Sequence, residues 1–245
     1  MRPIVLIPTR LGSTRLPGKA LTEIAGEPMI VHVWRRGIEA DIGPVLVACG
    51  DAAIADAIRA VGGEAVLTDP ALPTGSDRVQ AALAMTDPAR RYDIVVVLQG
   101  DLPTVDPAVL RVTLPPLDEP EVCISTLATE ITDPLELQAP QVVKIALAIR
   151  PDRTTGRALY FSRAVIPGGA GPHYHHVGLY TYRRTALDRY VSLPRGVLEA
   201  RENLEQLRAL EHGMRIDATL IEAEPLGVDT PADLERARSL LATPP

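Results

Sequence analysis

Large aromatic rings are scarce in this sequence, with one Phe and one Trp among 245 residues. The core must therefore rest on Val, Leu, Ile and Ala, and the 46% hydrophobic share supplies them at a level ordinary for a globular chain. Cysteine is nearly as rare. Cys49 and Cys123 lie in the apolar runs PVLVAC and EVCISTL, so both are expected as buried, reduced thiols, and their placement has no metal-site spacing. No apolar run approaches the ~18 residues of a membrane span, which sets a membrane aside. The opening MRPIVLIPTRLG holds too short an apolar stretch for a signal peptide, so the cytoplasm is the expected compartment. Positive charge is outnumbered, 25 Lys and Arg against 31 Asp and Glu, for a net charge of −6. That balance excludes nucleic acid as an expected partner. An anionic substrate would need a local basic pocket.

What is present is a regular alternation. Ile4–Pro8, Val45–Cys49, Ala65–Leu67 and Ile94–Leu98 read as buried strands. Between them Pro28–Ala40, Ala52–Val61 (capped by Asp51, stopped at Gly62-Gly63) and Ser76–Ala84 read as helices. This order predicts an α/β fold, a mostly parallel sheet flanked by helices. The second half is less regular. Val122–Ala128, Val142–Ala148, Val177–Tyr182 and Arg215–Ile221 read as strands, Glu199–His212 as one helix and Pro231–Leu241 as another. No repeat or composition break marks a second domain, so residues 1–245 are expected to form one domain with an antiparallel insertion. Pro167–Gly171 reads as a mobile loop, and Thr243-Pro244-Pro245 as disordered.

The strongest chemical signal follows the first strand, in Leu11-Gly12-Ser13-Thr14-Arg15-Leu16-Pro17-Gly18-Lys19. Small residues let backbone N–H groups approach an anion, and Arg10, Arg15 and Lys19 concentrate the positive charge that a triphosphate requires. It is not a Walker A loop, because five residues separate Gly12 from Gly18 and Ala20 follows the Lys. A second signal, Gln99-Gly100-Asp101, follows the most apolar strand and places a carboxylate where a divalent cation could be held above phosphates. Asp106, before Pro107, reads as a helix cap. In Gly227-Val228-Asp229-Thr230-Pro231-Ala232-Asp233, Thr230 and Asp233 are explained as a capping box. Asp229 is left over and, paired with Asp101, becomes a candidate second metal ligand.

Weaker signals remain. Thr74-Gly75-Ser76-Asp77-Arg78 has capping-box spacing, and its helix N-terminus would also suit a polar base or ribose. Arg163, in Tyr160-Phe161-Ser162-Arg163, and His175 and His176, ahead of a strand, could serve an acidic acceptor. Glu205 and Gln206 lie in Leu204-Glu205-Gln206-Leu207-Arg208, where the leucines read as core and the polar pair as its flank.

Together IPTRLGSTRLPGKAL, GEPMIVHV, TGSDR, VVLQGDLP, ALYFSRAVIP, HHVGLYTYRR, LEQLRAL and GVDTPADLERAR resemble, in order and over nearly the whole chain, the 3-deoxy-manno-octulosonate (Kdo) cytidylyltransferases. The resemblance implies a dimeric fold of the nucleotide-diphospho-sugar transferase type, with sugar binding and dimerisation around residues 120–215. It implies that CTP and Kdo give CMP-Kdo and pyrophosphate in lipopolysaccharide synthesis, with Mg2+ as cofactor. It maps Arg10, Ser13, Arg15 and Lys19 to the CTP phosphates, and Gly75, Ser76 and Arg78 to the nucleoside side. Asp101 and Asp229 map to magnesium, and Gln99, Arg163, His176, Tyr180, Glu205 and Gln206 to the sugar. Two departures stand out: Leu102-Pro103 replaces the usual Glu-Pro after the metal Asp, and Ala139-Pro140-Gln141 replaces an Asn-Pro-Asn segment.

The expected mechanism is displacement at the α-phosphorus. A cation held by Asp101 and Asp229 would activate the anomeric hydroxyl, and Lys19, Arg10 and Arg15 would stabilise the leaving pyrophosphate. The rivals are a cytidylyltransferase for amino-Kdo or sialic acid and a non-catalytic nucleotide-binding regulator. Retention of both carboxylates speaks against the regulator.

Overall fold

The run Ile4–Pro8 forms the buried heart of strand β1 (Pro3–Thr9). The computed structural model describes residues 1–12 and 16–242. These fall into two compact units, Met1–Arg111 with the segment from Pro225 onward, and Val112–Glu224. Ser13, Arg15 and the Thr243-Pro244-Pro245 tail lie outside the described residues.

In the first unit β1 is followed by a 3-10 turn at Lys19–Leu21 and a short ribbon of β2 (Glu23–Ile24) and β3 (Glu27–Pro28). Then come α1 (Met29–Glu39), β4 (Val45–Cys49), α2 (Ala52–Ala60), β5 (Glu64–Leu67), α3 (Gly75–Thr86), β6 (Ile94–Val97) and α4 (Pro107–Arg111). The sheet runs β5-β4-β1-β6, and every pairing in it is parallel. Val5 sits between Val45 and Val96 in the sheet, and the consecutive residues Ile4 to Pro8 are all buried, so β1 is covered on both faces, as a central parallel strand must be. Loops at the carboxyl ends of β1 and β6 then emerge side by side, which is where ligands bind in such sheets.

The second unit contains β7 (Val122–Glu130), α5 (Pro134–Gln138), β8 (Lys144–Ala148), β9 (Thr155–Ser162) and β10 (Tyr174–Arg183), then α6 (Arg184–Ser192), α7 (Val197–Glu202), α8 (Gln206–Glu211) and β11 (Arg215–Leu220). Its strands run β10-β7-β11-β9-β8, and β8 also pairs with β10, so the order closes on itself. The pairings are antiparallel except β7 with β11. The chain then returns to the first unit with α9 (Pro231–Ala242), whose Leu234 and Ala237 pack with Val228 on Ile24 and Met29.

Several expectations need correction. Glu199–His212 is two helices, because Asn203 adopts a left-handed conformation that ends α7. Strand β9 was not expected, since its exposed Leu159 and half-buried Tyr160 blur the alternation. Strand β10 starts at Tyr174, which places His175 and His176 inside it. Cys49 is buried, but Cys123, the second residue of β7, is only half-buried. Asp51 makes no side-chain cap to α2.

Candidate active site

The sequence places small residues and Lys19 directly after β1, and the fold turns them back across the end of the sheet. Gly18, at a φ of 68°, takes a left-handed conformation that suits glycine and opens the 3-10 turn carrying Lys19. Its N–H donates to Leu11 O, and the Leu11 N–H donates to Asp51 Oδ2 at 2.9 Å. Asp51 therefore spends its carboxylate on the loop after β1 rather than on its own helix. Sequence reasoning missed this role, because a residue ahead of a helix already has an explanation as a cap.

Beside this loop, a Cβ on Gly100 would stand 3.0 Å from Pro8 O and 3.1 Å from Thr9 Cβ. Glycine lets the β6 loop lie this close to the end of β1 without displacing it, and that approach sets Asp101 beside Lys19. The Lys19 ammonium donates to Asp101 Oδ2 at 2.7 Å, Asp229 Oδ1 at 3.0 Å and the Val228 carbonyl at 3.1 Å. Burial works against the charge on Lys19, but the two carboxylates outweigh it and hold its pKa above the ordinary value. The Val228 N–H donates to Asp101 O, which ties the two aspartate segments together. The capping box ahead of α9 fixes the other side: Asp233 Oδ2 accepts from the Asp229 and Thr230 N–H groups and from the Thr230 hydroxyl. Asp229 is thus aimed by its neighbours.

These groups surround a cleft of about 420 Å³ within the first unit. Arg10, Gly12 and Lys19 line it from the β1 loop, Gln99, Gly100 and Asp101 from the β6 loop, and Asp229 from the segment before α9. Leu72, Pro73, Thr74, Gly75 and Arg78 form a further wall. Ser76 follows Gly75 on α3 but does not line the cleft. Arg78 is only 2% exposed. Its Nη1 donates to Thr68 Oγ1 and Asp69 O, while Nη2 is buried with no partner among the described residues. Burial and the neighbouring Arg10 charge both lower its pKa. A buried guanidinium corner without an acceptor, facing a second cation, calls for an acceptor-rich or anionic ligand.

The remaining site residues belong to the second unit, apart from Gln99. Buried His176 brings Nε2 within 3.0 Å of Thr126 Oγ1 and packs edge-on against Phe161. Burial, with His175 beside it, pushes its pKa down to about 3, so the ring is neutral at ordinary pH. Tyr180 stacks obliquely on His176, 5.5 Å between centroids, where the β10–β7 register shifts. Glu205 opens α8, its carbonyl accepting from the Tyr190 hydroxyl, and Gln206 is buried behind it. Arg163 is turned onto backbone. Its Nε donates to Glu202 O, Nη1 to Pro140 O and Nη2 to Asn203 O. A guanidinium has five N–H groups, so two are without a partner among the described residues.

Comparison with known proteins gives the family. The family profile described as cytidylyltransferase matches residues 4–216. A 3-deoxy-manno-octulosonate cytidylyltransferase of Paramagnetospirillum magneticum is 60% identical over 241 residues, 98% of each chain. Its counterpart in Rhodospirillum rubrum is 61% identical over 240 residues, covering 98% of this chain and 95% of that one. A solved CMP:2-keto-3-deoxy-manno-octonic acid synthetase, in complex with CTP, superposes with a TM-score of 0.90 at 37% identity and 99% coverage of both chains. A Methanothermobacter nucleotidyl transferase, at 16% identity and a TM-score of 0.64, shares the fold.

Proposed function

The chain belongs to the cytidylyltransferase family, and within it to the 3-deoxy-manno-octulosonate cytidylyltransferases, and on that premise we propose how its residues divide the work. The reaction is CTP plus Kdo giving CMP-Kdo and pyrophosphate. The observation that carries the division is the Lys19 ammonium seated between Asp101 and Asp229 at the mouth of the cleft.

In this reading the cleft takes CTP. Arg10 and Lys19 meet the phosphates, with Ser13 and Arg15 from the same loop, and stabilise charge as pyrophosphate leaves. Gly75 and Arg78 face the nucleoside, while Ser76 stands outside the cleft lining, and the Nη2 of Arg78 suits the nucleoside's carbonyl or hydroxyl oxygens. Asp101 and Asp229 fit magnesium: two hard carboxylates share one cation in this structure, and that donor type suits a divalent ion completed by phosphate and water oxygens. When bound, such an ion supplies charge neutralisation at the phosphates and makes the sugar hydroxyl more acidic. Gln99, Arg163, His176, Tyr180, Glu205 and Gln206 recognise the sugar. His176, kept neutral by burial, offers a hydrogen bond rather than a charge.

The same reading makes the enzyme a homodimer and places it in the cytoplasm, in a pathway to lipopolysaccharide. No helix among the described residues is long and apolar enough to cross a membrane. The test of the nucleotide assignment is calorimetry with CTP and CMP. Lys19→Ala is expected to weaken CTP more than CMP, because its charge is aimed beyond the α-phosphate. Equal losses for the two would remove Lys19 from the β- and γ-phosphate side.

A further inference from the structure

Among the described residues Lys144 is the largest fully buried side chain, 0% exposed. Its ammonium donates to Ala139 O at 2.9 Å and Val142 O at 2.7 Å, both in the turn just ahead of its own strand β8. Arg163 reaches the same turn from the end of β9, donating to Pro140 O at 3.1 Å. The His176 N–H closes it from β10, donating to Val143 O at 2.8 Å. Two cations and a strand amide thus hold four carbonyls of a five-residue turn.

The charge is unbalanced. Among the described residues no carboxylate pairs with the Lys144 ammonium or with the Arg163 guanidinium. The nearby Glu202 carboxylate is taken by the Ser162 hydroxyl and the Arg163 main-chain N–H. Burial, followed by the repulsion of Arg163, lowers the Lys144 pKa. A buried cation is costly, and hydrogen bonds to carbonyls alone could have been made by a neutral donor. A second cation set beside it without a counter-ion favours any anion that reaches the exposed partner. Arg163 is that partner, half-buried and with two N–H groups in reserve, while Lys144 is sealed from any ligand.

We propose that Lys144 is a positioning residue for the acid group of the acceptor sugar, fixing the 139–143 turn under Arg163 and adding the buried positive field that makes this part of the second unit select a carboxylate. The inference rests on the Kdo reading and extends it to a residue that never touches the sugar.

Lys144→Gln keeps two donors for the turn and removes the charge, Lys144→Arg keeps the charge, and Lys144→Met removes both. The readout is competitive inhibition of Kdo turnover by the non-reacting 2-deoxy acid and by its C1 amide, at saturating CTP. The wild type should prefer the acid, and Lys144→Gln should lose about tenfold of that preference, with the amide's constant and the KM for CTP within about twofold. Lys144→Arg should retain it. If Lys144→Met melts below the assay temperature, the Gln and Arg pair still decides. Equal weakening of acid and amide in Lys144→Gln, or no change in either, would reduce Lys144 to a structural staple and overturn the proposal. A wild type that turns over Kdo but shows no preference for the acid overturns it as well. A wild type that takes no Kdo at all overturns the functional reading itself.

Discussion

In the proposed division between nucleotide and sugar, Arg163 stands on the sugar side. Three of its N–H groups are spent on the carbonyls of Pro140, Glu202 and Asn203, so its plane is set before any ligand arrives. Lysine would keep the charge but could satisfy neither that spread of carbonyls nor a forked carboxylate. Arg163→Lys is therefore expected to raise the KM for Kdo by the equivalent of about 1–3 kcal/mol and leave CTP binding nearly unchanged. Steady-state kinetics with each substrate varied in turn checks this, and damage confined to CTP would move Arg163 to the nucleotide side. His176 gives a prediction in pH. Its folded pKa of about 3 lies below the ordinary 6.5. Between those values the unfolded chain binds the extra proton, so stability contributed by the neutral ring is full above 6.5 and declines as the pH falls toward 3. Urea unfolding should show a shallower acid-side loss in His176→Gln than in the wild type, and parallel slopes would contradict the assignment.

At the scale of elements, the segment before α9 does two jobs with adjacent residues. The reciprocal Thr230–Asp233 cap starts the helix, and the same Asp233 carboxylate holds the Asp229 N–H. Asp233→Ala is expected to cost about 1 kcal/mol of stability by denaturation. It should lower turnover by more than that loss explains, since Asp229 would no longer be aimed at Lys19. Unchanged turnover in a folded Asp233→Ala protein would make the cap merely structural. The parallel strands of the first unit were legible because each is a continuous apolar run, and the Thr74–Asp77 and Thr230–Asp233 caps, though not the one expected at Asp51, because their residue types and spacing are local. What could not be read was long-range. Nothing around Asp51 in sequence says that it serves Leu11, forty residues away. Nothing around Lys144 says that it is sealed from water, and β9 hides behind its exposed residues. Arg163 was legible as a basic residue of interest, but its commitment to three carbonyls depends on pieces of chain that only folding brings together.

Across the whole molecule, the acidic average and the basic pockets are reconciled by placement. Arg10, Lys19 and Arg78 converge on one cleft in the first unit, and Lys144 and Arg163 on one turn in the second. Each unit thereby gathers positive charge of its own within a chain of net charge −6, which the proposed reading assigns to phosphates in the first unit and to a carboxylate in the second. The measurement that tests this account most directly is pyrophosphate release from CTP with magnesium, compared across Kdo, amino-Kdo, sialic acid and no acceptor. The account predicts rapid release with Kdo, far slower release with sialic acid, little without an acceptor, and a loss of orders of magnitude in Asp101→Asn. Release that is independent of Kdo, or faster with sialic acid than with Kdo, would contradict it.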